Sequence, residues 1–196
     1  DWSSDVCSSD LFKKNKKIKR RTAEDEIEKV PKNEYKIIFI GESRIWAKTS
    51  LINRIMDIEF NDNIESTIKV NSFTKEVNFD NKKFTLFIYD TPGGGLKCLV
   101  DIFSKDVDAV ILGYDITYEN TFEEIEHYWY PKIKDKNLVY LIGNKIDLND
   151  RRTVKKNTAS NFAKKKKLKF FEISCKTKEG LDDFYKDLIN NLLDLE

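Results

Sequence analysis

The sequence predicts an α/β fold, a six-stranded, mostly parallel sheet with helices on both faces. Three observations lead there. Six short runs rich in Ile, Val, Leu, Phe and Tyr are interleaved with about five helix-patterned segments. Two of the runs are separated only by the turn signal Asp80-Asn81, which reads as one hairpin in an otherwise crossover-connected sheet. The polar motifs each stand just after a strand-like run, where sheets of this kind bind ligands.

The elements follow in order after Pro31. Residues 35–40 carry the apolar run Ile37-Ile38-Phe39-Ile40 and read as a buried strand. Gly41, a polar loop and Lys48-Thr49-Ser50 come next. A helix then begins near Lys48, with Leu51, Ile52, Ile55 and Met56 on one face. Residues 61–66 are polar and loop-like. Residues 70–79 alternate around Phe73, Val77 and Phe79, and residues 84–89 return from the turn into Asp90-Thr91-Pro92-Gly93. A strand at 109–112 precedes a helix at 121–130 with Phe122, Ile125 and Trp129 on one face. Thr121 and Glu124 have capping-box spacing at its start. A strand at 138–142 runs into Gly143-Asn144-Lys145-Ile146-Asp147. A Lys-rich helix at roughly 153–166 and a strand at 168–173 lead to Ser174-Cys175-Lys176. In the last helix Leu181, Phe184, Tyr185, Leu188, Ile189, Leu192 and Leu193 form one apolar stripe.

The 196 residues suit one domain of ordinary size. Residues 1–11 resemble one reading frame of a sequencing adapter and are set aside. Residues 12–33 read as a charged disordered leader, with seven basic residues among positions 13–21, and residues 34–196 as the folded domain. Setting aside Asp1, Asp5 and Asp10 raises the formal net charge from +1 to +4. The 35 basic and 34 acidic residues nearly balance, so no global field points to nucleic acid. No apolar run approaches the length of a membrane span. Cys98 and Cys175 have neither metal-ligand nor disulfide spacing, which fits a reducing, cytoplasmic compartment. The lone His127 has no second His or Cys to form a metal site with. The basic run at 164–169 reads as a solvated helix end.

Strand, glycine, loop, Lys-Thr and helix is the layout of a phosphate-binding loop, in which backbone N–H groups and a lysine hold phosphates at a helix N-terminus. The motifs Ala47-Lys48-Thr49-Ser50-Leu51, Ser66-Thr67-Ile68, Asp90-Thr91-Pro92-Gly93, Tyr114-Asp115-Ile116-Thr117, Asn144-Lys145-Ile146-Asp147 and Ile173-Ser174-Cys175-Lys176 stand in family order. From residue 35 to the end the chain resembles a Ras-superfamily small GTPase, closest in texture to the Rab branch. The resemblance implies a P-loop GTPase (Ras-like) fold, GTP/GDP and Mg²⁺ as ligands, and a place in vesicle traffic. Asp147 would accept from the two guanine donors, with Asn144 tying the base edge to the neighbouring loop. Lys145 and Lys176 would lay their stems along the base, and the Cys175 N–H, in the loop opened by Ser174, would donate to the base oxygen. Lys48 would contact the terminal phosphates as a point charge, beside Ala47 and Ser50. Thr49, Thr67 and Asp90 would serve the metal, Asp90 from behind its direct ligands or through water. Gly93 would sense the γ-phosphate, so that hydrolysis releases both switch segments. Effector, exchange and activating proteins would read residues 61–69 and 91–106, at the surface of endomembranes.

Three departures qualify this picture. The loop between Gly41 and Lys48 is one residue longer than the family pattern and lacks internal glycines; Arg44, Trp46 and Ala47 bring β-carbons into the cradle, and Ala47 stands where glycine belongs. Gly94 stands where the family carries the glutamine that orients the attacking water, which predicts slow or partner-dependent hydrolysis. The chain ends Asp194-Leu195-Glu196 without the lipidated cysteines usual in the Rab branch, so either the sequence is a truncated fragment or the protein meets membranes peripherally without a lipid anchor. The catalytic set on this reading is Lys48, Thr67 and Gly94. The alternative is a pseudo-GTPase, an interaction module of the same fold with little or no nucleotide cycling.

Overall fold

Four buried residues in a row, Ile37 to Ile40, place strand β1 (Glu34–Ile40) in the middle of a sheet covered on both sides. Tyr35, Ile37 and Phe39 enter one core cluster, and Ile38 and Ile40 the other. A computed structural model describes residues 32–42, 46–63, 67, 69–92 and 106–195, all in the unit Lys32–Glu196. Helix α1 (Lys48–Ile55) follows β1, and then the hairpin β2 (Asn71–Phe79) and β3 (Lys82–Asp90). Strand β4 (Ala109–Asp115) precedes a helical stretch of three parts: α2 (Glu119–Glu124), a π-helical turn (Ile125–Trp129) and α3 (Tyr130–Ile133). Strand β5 (Val139–Asn144), a 3₁₀ segment (Ile146–Arg151), α4 (Lys156–Lys166), β6 (Lys169–Glu172) and α5 (Leu181–Leu193) complete the described chain.

The sheet order is β2-β3-β1-β4-β5-β6, with β2 antiparallel to β3 and every other pair parallel. The chain leaves β1 in both directions, to β3 on one side and β4 on the other. That reversal opens a crevice at the carboxyl ends of the strands. Register brings Asp90 level with Phe39, and Asn144 level with Asp115, so three motif-bearing strand ends reach the same edge. Strands β4 and β5 are buried along their whole length, as interior parallel strands are.

Helices α1 and α5 cover one face. Leu51, Ile52 and Ile55 of α1 and Leu181, Phe184, Leu188, Ile189 and Leu192 of α5 are buried there. Each such side chain contributes about 1.5–3 kcal/mol of hydrophobic stabilisation. The α2–α3 stretch and α4 cover the other face through Phe122, Ile125, Trp129, Ala159 and Ala163. At the hairpin, Asp80 and Asn81 both adopt positive φ (46° and 62°), the twist-matched two-residue turn that residues of this type tolerate.

Two expectations need correction. No capping box starts the helix at Thr121. Helix α2 begins two residues earlier, its N-cap is Tyr118, and no side chain caps it. Thr121 is fully buried instead; its hydroxyl donates to Tyr118 O (2.6 Å) and accepts from the Asp115 N–H (3.0 Å). The Lys-rich helix starts at Lys156 rather than near 153, because the N–H groups of Thr153 and Val154 donate back to Ile116 O (2.8 and 3.0 Å).

Candidate functional site

The phosphate side is built from the end of β1 and the start of α1. Lys48 opens α1 and is 6% exposed, and its ammonium donates to Gly41 O at 3.0 Å. Burial lowers its pKa from the usual 10.5 to about 8, although the negative charges of Asp90 and Glu42 pull the other way. A cation so stripped of water gains strongly from an incoming anion. Ala47 precedes it with φ 63° and ψ 52°, a left-handed conformation that costs an L-residue ~1–2 kcal/mol. Trp46 does not crowd the cradle as the sequence suggests. Its side chain is fully buried and turns into the α1/α5 core, while its backbone carbonyl stays at the loop. Ser50 is buried on α1, two residues beyond Lys48.

The three residues expected at the metal come together although the sequence spreads them over α1, a loop and β3. Thr49 Oγ1 donates to Asp90 Oδ2 at 2.7 Å, Thr67 Oγ1 donates to the same oxygen at 3.1 Å, and the two hydroxyl oxygens are 3.0 Å apart. Asp90 is fully buried, and its Oδ1 has no hydrogen-bond partner. Burial pushes its pKa up, against hydrogen bonds from Thr49 and Thr67 and the charge of Lys48. A buried carboxylate oxygen without a donor, beside two hydroxyls, suits a hard divalent cation that keeps water and phosphate in most of its shell. The residues therefore fit Mg²⁺.

The base side is held by Asn144, 1% exposed at the end of β5. Its Nδ2 donates to Trp46 O at 2.9 Å, and its Oδ1 accepts from the N–H groups of Lys145 (2.7 Å) and Cys175 (3.1 Å). The Cys175 N–H, expected to face the base oxygen, is thus engaged by Asn144. Lys145 takes positive φ (71°), and its ammonium pairs with buried Asp115 at 2.7 Å. Ser174, fully buried, donates to Asp147 Oδ1 at 2.6 Å and accepts from the N–H groups of Lys176 (3.2 Å) and Thr177 (3.0 Å). Asp147 is thereby oriented, with oxygen lone pairs left to accept two adjacent N–H donors. The Lys176 ammonium lies 3.9 Å from Asp62.

All described candidates, Ala47, Lys48, Thr49, Ser50, Thr67, Asp90, Asn144, Lys145, Asp147, Ser174, Cys175 and Lys176, lie at this one sheet edge or in the loops leading from it. Gly93, Gly94 and Arg44, with parts of the segments 61–69 and 91–106 and residues 1–31, lie outside the described residues.

Sequence reasoning missed three groups. Asp115 accepts from the Thr117 N–H and hydroxyl (2.8 and 2.7 Å) and presents its other oxygen to Lys145. The Tyr-Asp-x-Thr motif itself was the available signal. Arg54 of α1 reaches across to the base loop, donating to Cys175 O (2.8 Å) and Lys176 O (3.3 Å). Its place beside Ile55 on the apolar side of α1 was the only hint. Arg152 holds Glu172 with two bonds (2.7 and 3.1 Å), joining the segment after Asp147 to the strand before Ser174. No local signal marks that pair.

The Ras family model matches residues 36–194. Ras-related protein Rab-21 of Geodia cydonium is 32% identical over 164 residues, covering 81% of this chain and 71% of the relative. Ras-related protein Rab-13 of Bos taurus is 32% identical over 164 residues, covering 81% and 80%. Ras-related protein Rab-21 of Homo sapiens is 30% identical over 165 residues, covering 82% and 72%.

Proposed function

The chain belongs to the Ras family as a Rab-like small GTPase, and from that premise we propose that it is a guanine-nucleotide switch with Mg²⁺ at Thr49, Thr67 and Asp90 and with slow or partner-dependent hydrolysis. The observation that carries this reading is the Thr49–Thr67–Asp90 cluster. Thr67 comes from a loop outside any helix or strand, yet its hydroxyl lies on the same carboxylate as Thr49, beside the partnerless Asp90 Oδ1. A loop threonine delivered to a cation site gives a nucleotide-dependent contact, the requirement for a switch.

Mg²⁺, when bound, supplies charge neutralisation for the terminal phosphate oxygens. The chain's own residues do the rest. Lys48 offers a desolvated ammonium to the phosphates, and Asp147, oriented by Ser174, selects guanine by accepting from donors that adenine does not present together. Asn144 and Arg54 hold the base loop in place. Gly94 has no side chain with which to orient water, so turnover falls to a partner or stays slow. Residues 61–69 and 91–106 serve as the partner-reading surface. Among the described residues no helix is long and apolar enough to cross a membrane, which accords with a peripheral role at cytoplasmic membrane surfaces.

The second reading, a pseudo-GTPase, draws on the long, glycine-poor loop before Lys48. One experiment separates the two: purify the chain, denature it and identify the released nucleotide. GTP or GDP supports the switch, and retained GTP supports slow hydrolysis. A protein that comes out empty and binds no added GTP with Mg²⁺ refutes it.

A further inference from the structure

We propose that Trp46 is the positioning residue of the phosphate loop: its indole, seated against Gly41 and Gly113, fixes the backbone path that delivers Ala47 and Lys48 to the phosphates. The inference rests on the nucleotide-switch reading above and adds to it what holds Ala47 and Lys48 in place after a loop without internal glycines.

Trp46 is the largest fully buried side chain among the described residues. It occupies a slot that two glycines leave open. A β-carbon on Gly41 would lie 2.5 Å from the indole Nε1, and one on Gly113 would lie 2.1 Å from two carbons of the six-membered ring. Gly113 is therefore explained by the indole. It interrupts a strand, Ala109–Asp115, that is otherwise apolar up to Tyr114, and glycine weakens a strand unless something needs the space.

The Trp46 α-carbon is held from two sides. Its side chain is locked in the α1/α5 core, and its carbonyl accepts from buried Asn144. The next carbonyl, that of Ala47, receives the first hydrogen bond of α1, from the Leu51 N–H at 3.1 Å. Between these anchors Ala47 stays in the left-handed region, a strained state that persists only where its surroundings over-determine it. Lys48 Nζ lies 5.9 Å from the indole ring centre, so the same side chain also bounds the lysine's position. Conserving phosphate access in this loop thus depends on one buried wedge and its glycine slot.

The test measures release of fluorescent mant-GDP and thermal unfolding for wild type, Trp46→Phe, Gly113→Ala and the double variant Trp46→Leu/Gly113→Ala. Gly113→Ala, which leaves Trp46 intact but closes its slot, is expected to speed release at least tenfold. The double variant, in which volume moves from the indole to the strand, is expected to recover most of that loss. Tryptophan emission supplies a readout that a merely structural role would not move. Wild-type emission should change on adding GDP and Mg²⁺, and Trp46→Phe, which keeps Trp2 and Trp129, should lose that change. An equal emission change in Trp46→Phe overturns the proposal. So does a Gly113→Ala protein that unfolds earlier yet releases nucleotide at the wild-type rate. A wild type that binds no mant-GDP at all refutes the switch reading and this inference with it, whereas unchanged release in the variants of a binding protein refutes this inference alone.

Discussion

Replacing Arg54 by Ala tests whether base recognition is held from behind by α1. The Arg54 side chain is only 8% exposed, and its guanidinium makes a 2.8 Å bond to Cys175 O and a longer 3.3 Å bond to Lys176 O. A hydrogen bond to a charged donor contributes about 1.5–3 kcal/mol, and the longer of the two falls below that range. The third contact, to Glu59 at 3.1 Å, ends on an exposed carboxylate and adds little. Together the two carbonyl contacts amount to about 3 kcal/mol, and their loss leaves the Cys175 carbonyl without its donor. That loop is also held by Asn144, so only part of the loss falls on loop opening. About half of it would raise nucleotide release roughly tenfold. Arg54→Lys keeps the charge but not the two-pronged fork, and should fall between wild type and Arg54→Ala. The assay is release of mant-GDP at saturating Mg²⁺, with chemical unfolding of the same samples. If Arg54→Ala unfolds more easily but releases nucleotide at the wild-type rate, the α1 tether does not hold the base loop.

Three further outcomes are expected. Asp90→Asn should remove the slowing of nucleotide release by Mg²⁺, so that rates with Mg²⁺ and with a chelator coincide; a persistent Mg²⁺ effect would place the metal elsewhere. Glu172→Gln breaks a pair in which the carboxylate is 6% exposed, and the guanidinium left behind should cost about 3–5 kcal/mol in urea unfolding. A change near zero would show the pair to be idle. Burial pushes the Cys175 thiol up to about 12, so in a Cys7→Ser/Cys98→Ser background native protein should resist iodoacetamide at pH 8 and react once unfolded. The native thiol keeps a proton that the unfolded chain releases from about pH 9, so this group's contribution to stability is present below pH 9 and lost as pH rises towards 12. Rapid native labelling at pH 8 would contradict that burial.

The strands were legible because both sheet faces are covered, so the interior strands appear as unbroken apolar runs such as Ile37 to Ile40 and Ala109 to Leu112. The hairpin was legible because Asp80-Asn81 suits the positive φ values it adopts. Helix starts were harder. The Thr121–Glu124 spacing matches a cap, but the Thr121 hydroxyl is committed to the end of β4, a contact between elements that local spacing does not encode. The π-helical turn is equally silent in the periodicity, yet it has a local cause. Pro131 follows it and lacks an N–H, so the α-helical ladder cannot run straight through. At the site, residue types were readable and tethers were not. Arg54 meets a carbonyl 121 residues away, and Arg152 a carboxylate 20 residues away. Only the folded chain pairs them.

On the sequence the base side looks intact and the phosphate side doubtful, as if the two were separate questions. Asn144 makes them one. Its amide has one oxygen with two lone pairs and one nitrogen with two protons. The oxygen is filled by the N–H groups of Lys145 and Cys175, and the nitrogen donates to the Trp46 carbonyl. Two donors facing the oxygen and a carbonyl facing the nitrogen permit only this orientation of the amide. Aspartate would set an oxygen against the Trp46 carbonyl, and leucine would remove the Asn144 partner of all three backbone groups. Trp46, at the end of the loop before Lys48, is therefore anchored by the same side chain that organises base recognition. Trp46 is held by the core through its indole and by Asn144 through its carbonyl, so Ala47 and Lys48 follow it to the sheet edge that also carries Asp90 and Asp147.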